Sequence, residues 1–436
     1  MSSPITMNVT GLDTETMIQE LMKLERRPLL ALESKQQSIG AKKAAWTAIK
    51  TKLESLLSKI KPLLDNSVFD TKAIQIKDKG VISAAVSSNA ALGSYDVEVI
   101  KLAQSHVVQS TVFTQKPDEA LGIYGTINLG LDGGEDGLSE IEIFETDSLN
   151  SIADKINTLE GVGVKASVLQ VNPSELRLVL TAEATGQSIQ YEDNLTGPGL
   201  EPVSFGMTTA REQAKAVFKI NGVEFTRNSN HVSDAIQGVS FNLLSTGSSD
   251  FSVGYDDDAV VSAVKGFISE YNSLLDTAGK YTTWDSTALK GGLLFGDPLL
   301  QKLVSQVRQT LFSDVSSQSQ VLRFIGQIGI STGSIGSYSR DGKLSLDEAK
   351  LKEALGADRG AVASLLNKDG DGSDGVFANM QKVLQVYVSH DGLLSTRDAQ
   401  LELENKDVSR QIENLERRLE IRLSSLKRQF SALETL

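Results

Sequence analysis

The sequence contains no cysteine. That excludes a disulfide framework and a thiolate metal site. No apolar run approaches the ~18 residues that a membrane-spanning helix needs. The opening residues, MSSPITMNVTGLD, hold neither a basic stretch nor a hydrophobic core, so they are not a Sec-type signal. Taken alone this places the chain in the cytoplasm, unless a machine that reads a different signal exports it. Histidine occurs only at His106, His231 and His390, far apart, without the close spacing of a zinc site. Positive charge is in the minority, with 43 Lys and Arg against 56 Asp and Glu, a net charge of −13. A surface that acidic repels phosphate backbones and anionic lipid, which argues against nucleic acid and membranes as partners. No P-loop and no G-x-G-x-x-G fingerprint occurs, and nothing calls for a cofactor.

What is present is ordinary in amount: 40% hydrophobic and 23% charged residues over 436 positions. At roughly 150 residues per domain, that length suggests about three domains. The patterning is more telling. Residues 14 to 65 read as helix, with a kink or boundary at Pro28. Ile39, then Trp46, Ile49, Leu53, Leu56, Ile60 and Leu63, form a heptad seam flanked mostly by lysines. The C-terminus mirrors it: Leu394, Leu401, Val408 and Leu415 recur every seven residues, and Ile412, Leu419, Leu426 and Leu433 form a second row. Arg422 and Gln429 interrupt the first row, where Leu423 and Phe430 take over through a four-residue stutter. Asp398, Glu402, Glu404 and Asp407 make this helix acidic where the other is basic. Opposite charge on two heptad helices predicts that they pair with each other, antiparallel. We expect Leu63 near Leu394 to Leu401, Ile39 near Leu419 to Leu426, and Lys59 beside Glu402.

Between the helical ends the period becomes two. Tyr95, Val97 and Val99 alternate, as do Ile127, Leu129 and Leu131, and Leu176, Leu178 and Leu180. Asn221-Gly222 between two such runs predicts a hairpin with a type I′ turn. One helix, about 148 to 160, interrupts the strands. Residues 118 to 147 hold nine acidic residues and no basic one, which reads as a solvated face. Strands near 95–100 and 251–255 are the expected neck of this insertion. From Asp256-Asp257-Asp258 onward Val260, Val264, Phe267, Tyr271 and Leu274 restore the helical period. Asp297-Pro298 marks a helix start, and Ser345 to Glu348 matches a capping box. The predicted fold is α+β multidomain: an antiparallel terminal coiled coil and a helical domain with a long inserted β-rich module of two β subdomains. The expected boundaries are 1–79 for the N-terminal leg helices and 80–255 for the β module, which should fold autonomously. Residues 256–390 form the helical domain and 391–436 the C-terminal leg helix.

Chemistry finds little purchase. Gly329-Ile330-Ser331-Thr332-Gly333 fits a nucleophile elbow, but the Ser- and Gly-rich stretch after it starts no helix. Asn367, Asp369, Asp371 and Gly372 resemble half of a calcium loop, with Ala378 where its glutamate belongs. Neither reading outweighs a plain loop. The expectation is therefore no enzyme and no metal.

These residues have a family likeness. Thr10 to Glu15, Leu21-Met22 and Glu25 to Leu29 come first in order. Gly93 to Val99 with Leu102-Ala103-Gln104, then Asn221-Gly222-Val223, follow. Phe267 to Asn272, Asp341 to Leu344, Gly392 to Leu394 and Arg428 to Leu433 complete the set. Together they resemble the flagellar filament cap family, FliD, the hook-associated caps. The resemblance implies legs of paired terminal helices, β domains forming a plate, and a small ring-shaped homo-oligomer, pentamer-like, at the distal filament tip. It implies export through the flagellar type III route, which accounts for the missing Sec signal, and an extracellular location. It implies promotion of flagellin polymerisation and prevention of flagellin leakage, with adhesion as a second role. Partners would be the chain itself, flagellin, the export apparatus and an export chaperone. Relatives continue with more helix where this sequence stops, which leaves a tail-borne chaperone contact open. Leu12, Met17, Leu21 and Leu24 lie on an apolar stripe outside the Trp46–Leu63 seam, and the resemblance makes them the flagellin and filament contact. Other axial or junction proteins, a surface adhesin and, remotely, a secreted hydrolase are the alternatives.

Overall fold

The computed structural model describes residues 14–64, 67–132, 137–287, 289–315, 322–333, 341–367 and 374–434. The helices in chain order are α1 (Thr14–Glu25), α2 (Arg27–Leu64), α3 (Ser67–Asp70), α4 (Leu149–Thr158), α5 (Asp257–Thr282), α6 (Pro298–Leu311), α7 (Glu348–Leu366), α8 (Val376–Val388) and α9 (Leu393–Glu434). The chain divides into two compact units, Met1–Phe69 with Asp257–Leu436 and, between them in sequence, Asp70–Asp256. The β unit thus begins ten residues before position 80, and the helical domain and both legs fall in one unit. The early start has a simple cause. Lys72–Ile76 is an edge strand paired antiparallel with Gly247–Tyr255, in register Lys72 to Tyr255, and Asp256 N–H donates to Thr71 C=O at 2.9 Å. The neck is therefore two strands earlier than 95–100, although Tyr95 does sit opposite Phe251.

The helical unit is built around a large core. Trp46, Ile49, Leu53, Leu56, Ile60 and Leu63 of α2 are all buried in it, with Val260, Val264, Phe267, Tyr271 and Leu274 of α5. Both helices carry the same 3–4 spacing, so each presents one continuous apolar stripe to the other. Phe267 is fully buried, with its ring 4.5 Å from that of Phe377 on α8. The helix starts follow local chemistry. Asp297 accepts from Leu299 N–H at 2.9 Å and Leu300 N–H at 3.3 Å, with Pro298 first in α6. The capping box expected at Ser345 is not there. Leu344–Leu346 is a strand paired with Ile330–Thr332, and Asp347 caps α7 by accepting from Lys350 N–H at 3.1 Å.

The β unit holds two separate cores, one nested in the other. The outer core lies under a five-stranded antiparallel sheet, ordered Lys72–Ile76, Gly247–Tyr255, Gly93–Lys101, Ala216–Ile220, Val223–Arg227. A three-stranded sheet of His231–Ile236, Val239–Leu243 and Ile82–Val86 shares that core. Asn221 (φ 49°) and Gly222 (φ 80°) make the anticipated tight turn, and Phe218 stacks on Phe225 across the hairpin at 5.5 Å. The inner core belongs to two four-stranded sheets and α4, and draws on residues from Val108 to Phe205. The chain passes from outer to inner subdomain at one bridge, Gln104 with Ala214. Asp147, Ser148 and Ser151 build the start of α4. Ser148 accepts from Ser151 N–H, and the Asp147 carboxylate accepts from Phe144 N–H, the Ser151 hydroxyl and Lys155 Nζ. Burial pushes the Asp147 carboxyl up, but these donors outweigh it and hold the group below the usual carboxylate range.

Candidate functional site: the terminal helices

The two terminal helices pair, in a different register from the one their heptads suggest. Leu401 and Val408 of α9 are buried in the large core with Ile39 of α2, and Ile412 packs partly buried against it. Lys43 Nζ lies 2.6 Å from Glu402 and 3.6 Å from Asp398, Lys35 is 3.1 Å from Glu404, and Gln36 donates to Ser409 at 2.8 Å. The run is antiparallel, with basic α2 on acidic α9. Glu402 therefore meets Lys43 and not Lys59, sixteen residues along (59 − 43). Lys59 instead lies against Gly266 of α5, at 3.6 Å from the position of a Cβ there. The reason is competition. The Trp46–Leu63 stripe is taken by α5, and α8 also packs on α2 before α9 begins.

The Lys43–Glu402 bond holds the Glu402 carboxyl below its ordinary range and raises the Lys43 ammonium. A depressed carboxyl stabilises above its unfolded pKa and loses that contribution as pH falls through the folded value. A raised ammonium contributes until pH climbs through its folded value. The pair accordingly operates across neutral pH and opens in acid. Both side chains are still partly open to solvent, so its value lies more in register than in stability.

The register is directly testable because the chain has no cysteine of its own. A short bis-maleimide should join Lys43→Cys to Glu402→Cys within one chain. It should fail to join Lys59→Cys to Glu402→Cys. Peptide mapping of the linked product decides it, and the reverse result would reject the register.

Beyond this segment the ends pair again. Met22 of α1, 7% exposed, is buried against Leu419 and Leu426 of α9, with Ile18, Leu29, Leu415, Leu423 and Phe430 packed around them. Glu25 lies 3.6 Å from Arg422. Leu419 and Leu426 thus meet α1, and Ile39 is not among their neighbours in that cluster. Met22 was missed as a contact residue. Its spacing of four from Ile18 was the available signal, overshadowed by the more conspicuous Met17, Leu21 and Leu24.

Those three stay on the outside. Met17 is 44% exposed, Leu21 41% and Leu24 54%, one stripe at spacings of four and three on the face of α1 that Met22 does not use. Leu12 lies outside the described residues. The coil therefore consumes one face of α1 and leaves a second apolar face uncovered.

Ser331 sits within the Ile330–Thr332 hairpin opposite Ser345, not on a strand-to-helix turn. Of the half calcium loop, Asp369, Asp371 and Gly372 lie outside the described residues. Among the described residues no cluster of three His, Cys, Asp or Glu could hold a metal, and no helix is long and apolar enough to cross a membrane.

Comparison with known proteins agrees with the arrangement. Residues 10–106 match the model of the flagellar hook-associated protein 2 N-terminus, and residues 214–436 match that of its C-terminus. The two matches stop almost at the Gln104–Ala214 bridge, so the inner β subdomain lies between them. The flagellar hook-associated protein 2 of Escherichia coli K12 is 26% identical over 446 aligned positions, covering 98% of this chain and 93% of that protein. The B-type protein of Pseudomonas aeruginosa PAO1 is 27% identical over 469, covering 99% and 94%. The crystal structure of the D1-D2-D3 domains of the flagellar cap protein FliD from E. coli superposes with a TM-score of 0.58 at 27% identity. It covers 82% of this chain and 99% of that one. The chain belongs to the flagellar hook-associated protein 2 family, the FliD caps of the flagellar filament, which are structural proteins and not enzymes.

Proposed function

We propose that this chain caps the distal end of a flagellar filament as a closed ring of identical copies, promoting flagellin polymerisation and preventing flagellin from leaking away. The observation that carries the contact role is the uncovered stripe of Met17, Leu21 and Leu24, beside the buried Met22. An apolar stripe that intramolecular pairing leaves bare is best satisfied by another subunit's helix laid along it. In this reading the terminal helices contact flagellin and the β unit supplies the plate. The protein reaches the cell exterior by the flagellar export route, and the export apparatus is a further partner, with an export chaperone as an additional one. Closed cyclic symmetry suits a cap, because every copy must present the same surfaces around one axis. Electron microscopy of the purified protein should reveal rings of uniform subunit number. A sample of monomers at all concentrations would remove the ring from this reading.

A further inference from the structure

A second bare surface lies in the helical unit, far in sequence from the legs. Past the end of α5, Trp284–Asp285 pairs antiparallel with Lys290–Gly291 as a short tongue. Its backbone is tied down: Gly292 N–H donates to Thr283 C=O at 3.0 Å and Leu294 N–H to Tyr281 C=O at 2.9 Å. A side chain at Gly292 would strike the Tyr281 carbonyl, so only glycine permits this close approach. On this fixed support Trp284 is 49% exposed, Phe295 56% and Leu289 75%, with the first two rings 5.6 Å apart. Leu289 stands at φ 49°, a conformation unfavourable for a branched apolar residue. Strain and exposure at one apolar side chain point to a role in contact.

The tongue borders a cleft of about 950 Å³ between α5 and α6, floored by Leu275, Ala278 and Leu300. Three cations line it, Lys280, Arg308 and Lys343, against two carboxylates, Asp276 and Asp341. Asp276 is spent on Lys343, at 2.6 Å, and Asp341 also acts on Lys343. Among the described residues neither Lys280 nor Arg308 pairs with a carboxylate. Lys280 lies over the Tyr281 ring at 5.6 Å. Arg308 donates through Nη2 to the Asp341 carbonyl at 2.7 Å, and its Nε is buried without an acceptor. An apolar floor with unmatched positive charge at its rim calls for an apolar ligand flanked by carboxylates.

We propose that this cleft and its tongue dock an acidic amphipathic helix from a different protein chain. The helix lays leucine-like side chains between Trp284, Phe295 and the cleft floor, and sets carboxylates against Lys280 and the Arg308 guanidinium. The probe is a labelled helical peptide with leucines at i, i+3, i+4 and i+7 and glutamates beside them, titrated into the full chain by fluorescence anisotropy. The result expected is saturable binding that weakens with salt. A version with lysine in place of every glutamate should bind at least tenfold more weakly. Trp284→Ser and Lys280→Glu, both at exposed positions, should each weaken the glutamate peptide about tenfold or more while leaving the circular dichroism spectrum unchanged. Equal binding of the two peptides, indifference to both substitutions, or no binding would overturn the proposal. So would self-association of the chain that Trp284→Ser abolishes, because the occupant would then be a second copy.

Discussion

Replacing Met17, Leu21 and Leu24 together by serine is expected to abolish filament growth without unfolding the protein. The three side chains are on the solvent face of α1, while Met22 keeps the helix docked on Leu419 and Leu426. The substitutions therefore remove little buried area from the fold, and surface changes of this sort cost little stability. Their effect falls on the partner. Each is only about half exposed, so uncovering the part that a partner would cover costs roughly half of the ~1.5–3 kcal/mol of full burial. Over three side chains that lowers an affinity by about two to three orders of magnitude. Deleting residues 1 to 30 should give the same loss, with the β unit still folded. Filament counts in a strain carrying only the variant, alongside circular dichroism of the purified protein, separate the two effects. Normal filaments from the triple variant would move the contact surface elsewhere.

Phe267→Ala is expected to have the largest effect on stability. The side chain is fully buried, against Phe377 at 4.5 Å and Tyr271 at 6.2 Å, where α5 and α8 meet. Emptying such a site costs about 3–5 kcal/mol, because the removed ring leaves a cavity that rigid neighbours fill only in part. For a unit of this size each kcal/mol lowers the melting temperature by about 2–4 °C, so a fall of roughly ten degrees is expected in the helical transition. Thermal melts followed at a helix-sensitive wavelength test it. A shift of a degree or two would mean that this core is far more plastic than its packing indicates.

Much of this architecture was legible because local rules and tertiary packing agree. Asn221-Gly222 had to be a tight turn, Asp297-Pro298 had to start a helix, and alternating residues such as Leu176, Leu178 and Leu180 had to face a core, as they do. What was not legible was partner choice. A heptad seam specifies that a helix pairs but not with which helix, and α2, α5 and α9 all carry one. The Trp46–Leu63 seam went to α5, which forced α9 to meet α2 nearer its start. Register was hidden for the same reason, since a repeat of seven matches itself at many offsets. Lys72–Ile76 escaped notice because an edge strand of five residues with half-buried side chains has hardly any alternation to read. The nesting of one β subdomain in the other rests on the Gln104–Ala214 bridge, a pairing 110 residues apart (214 − 104) that no local pattern announces.

The most direct test of the account is a strain that lacks this protein and is otherwise intact. Such cells should bear no filaments and release unpolymerised flagellin into the medium, and supplying the full chain should restore growth. Filaments of normal length with no flagellin in the medium would contradict it.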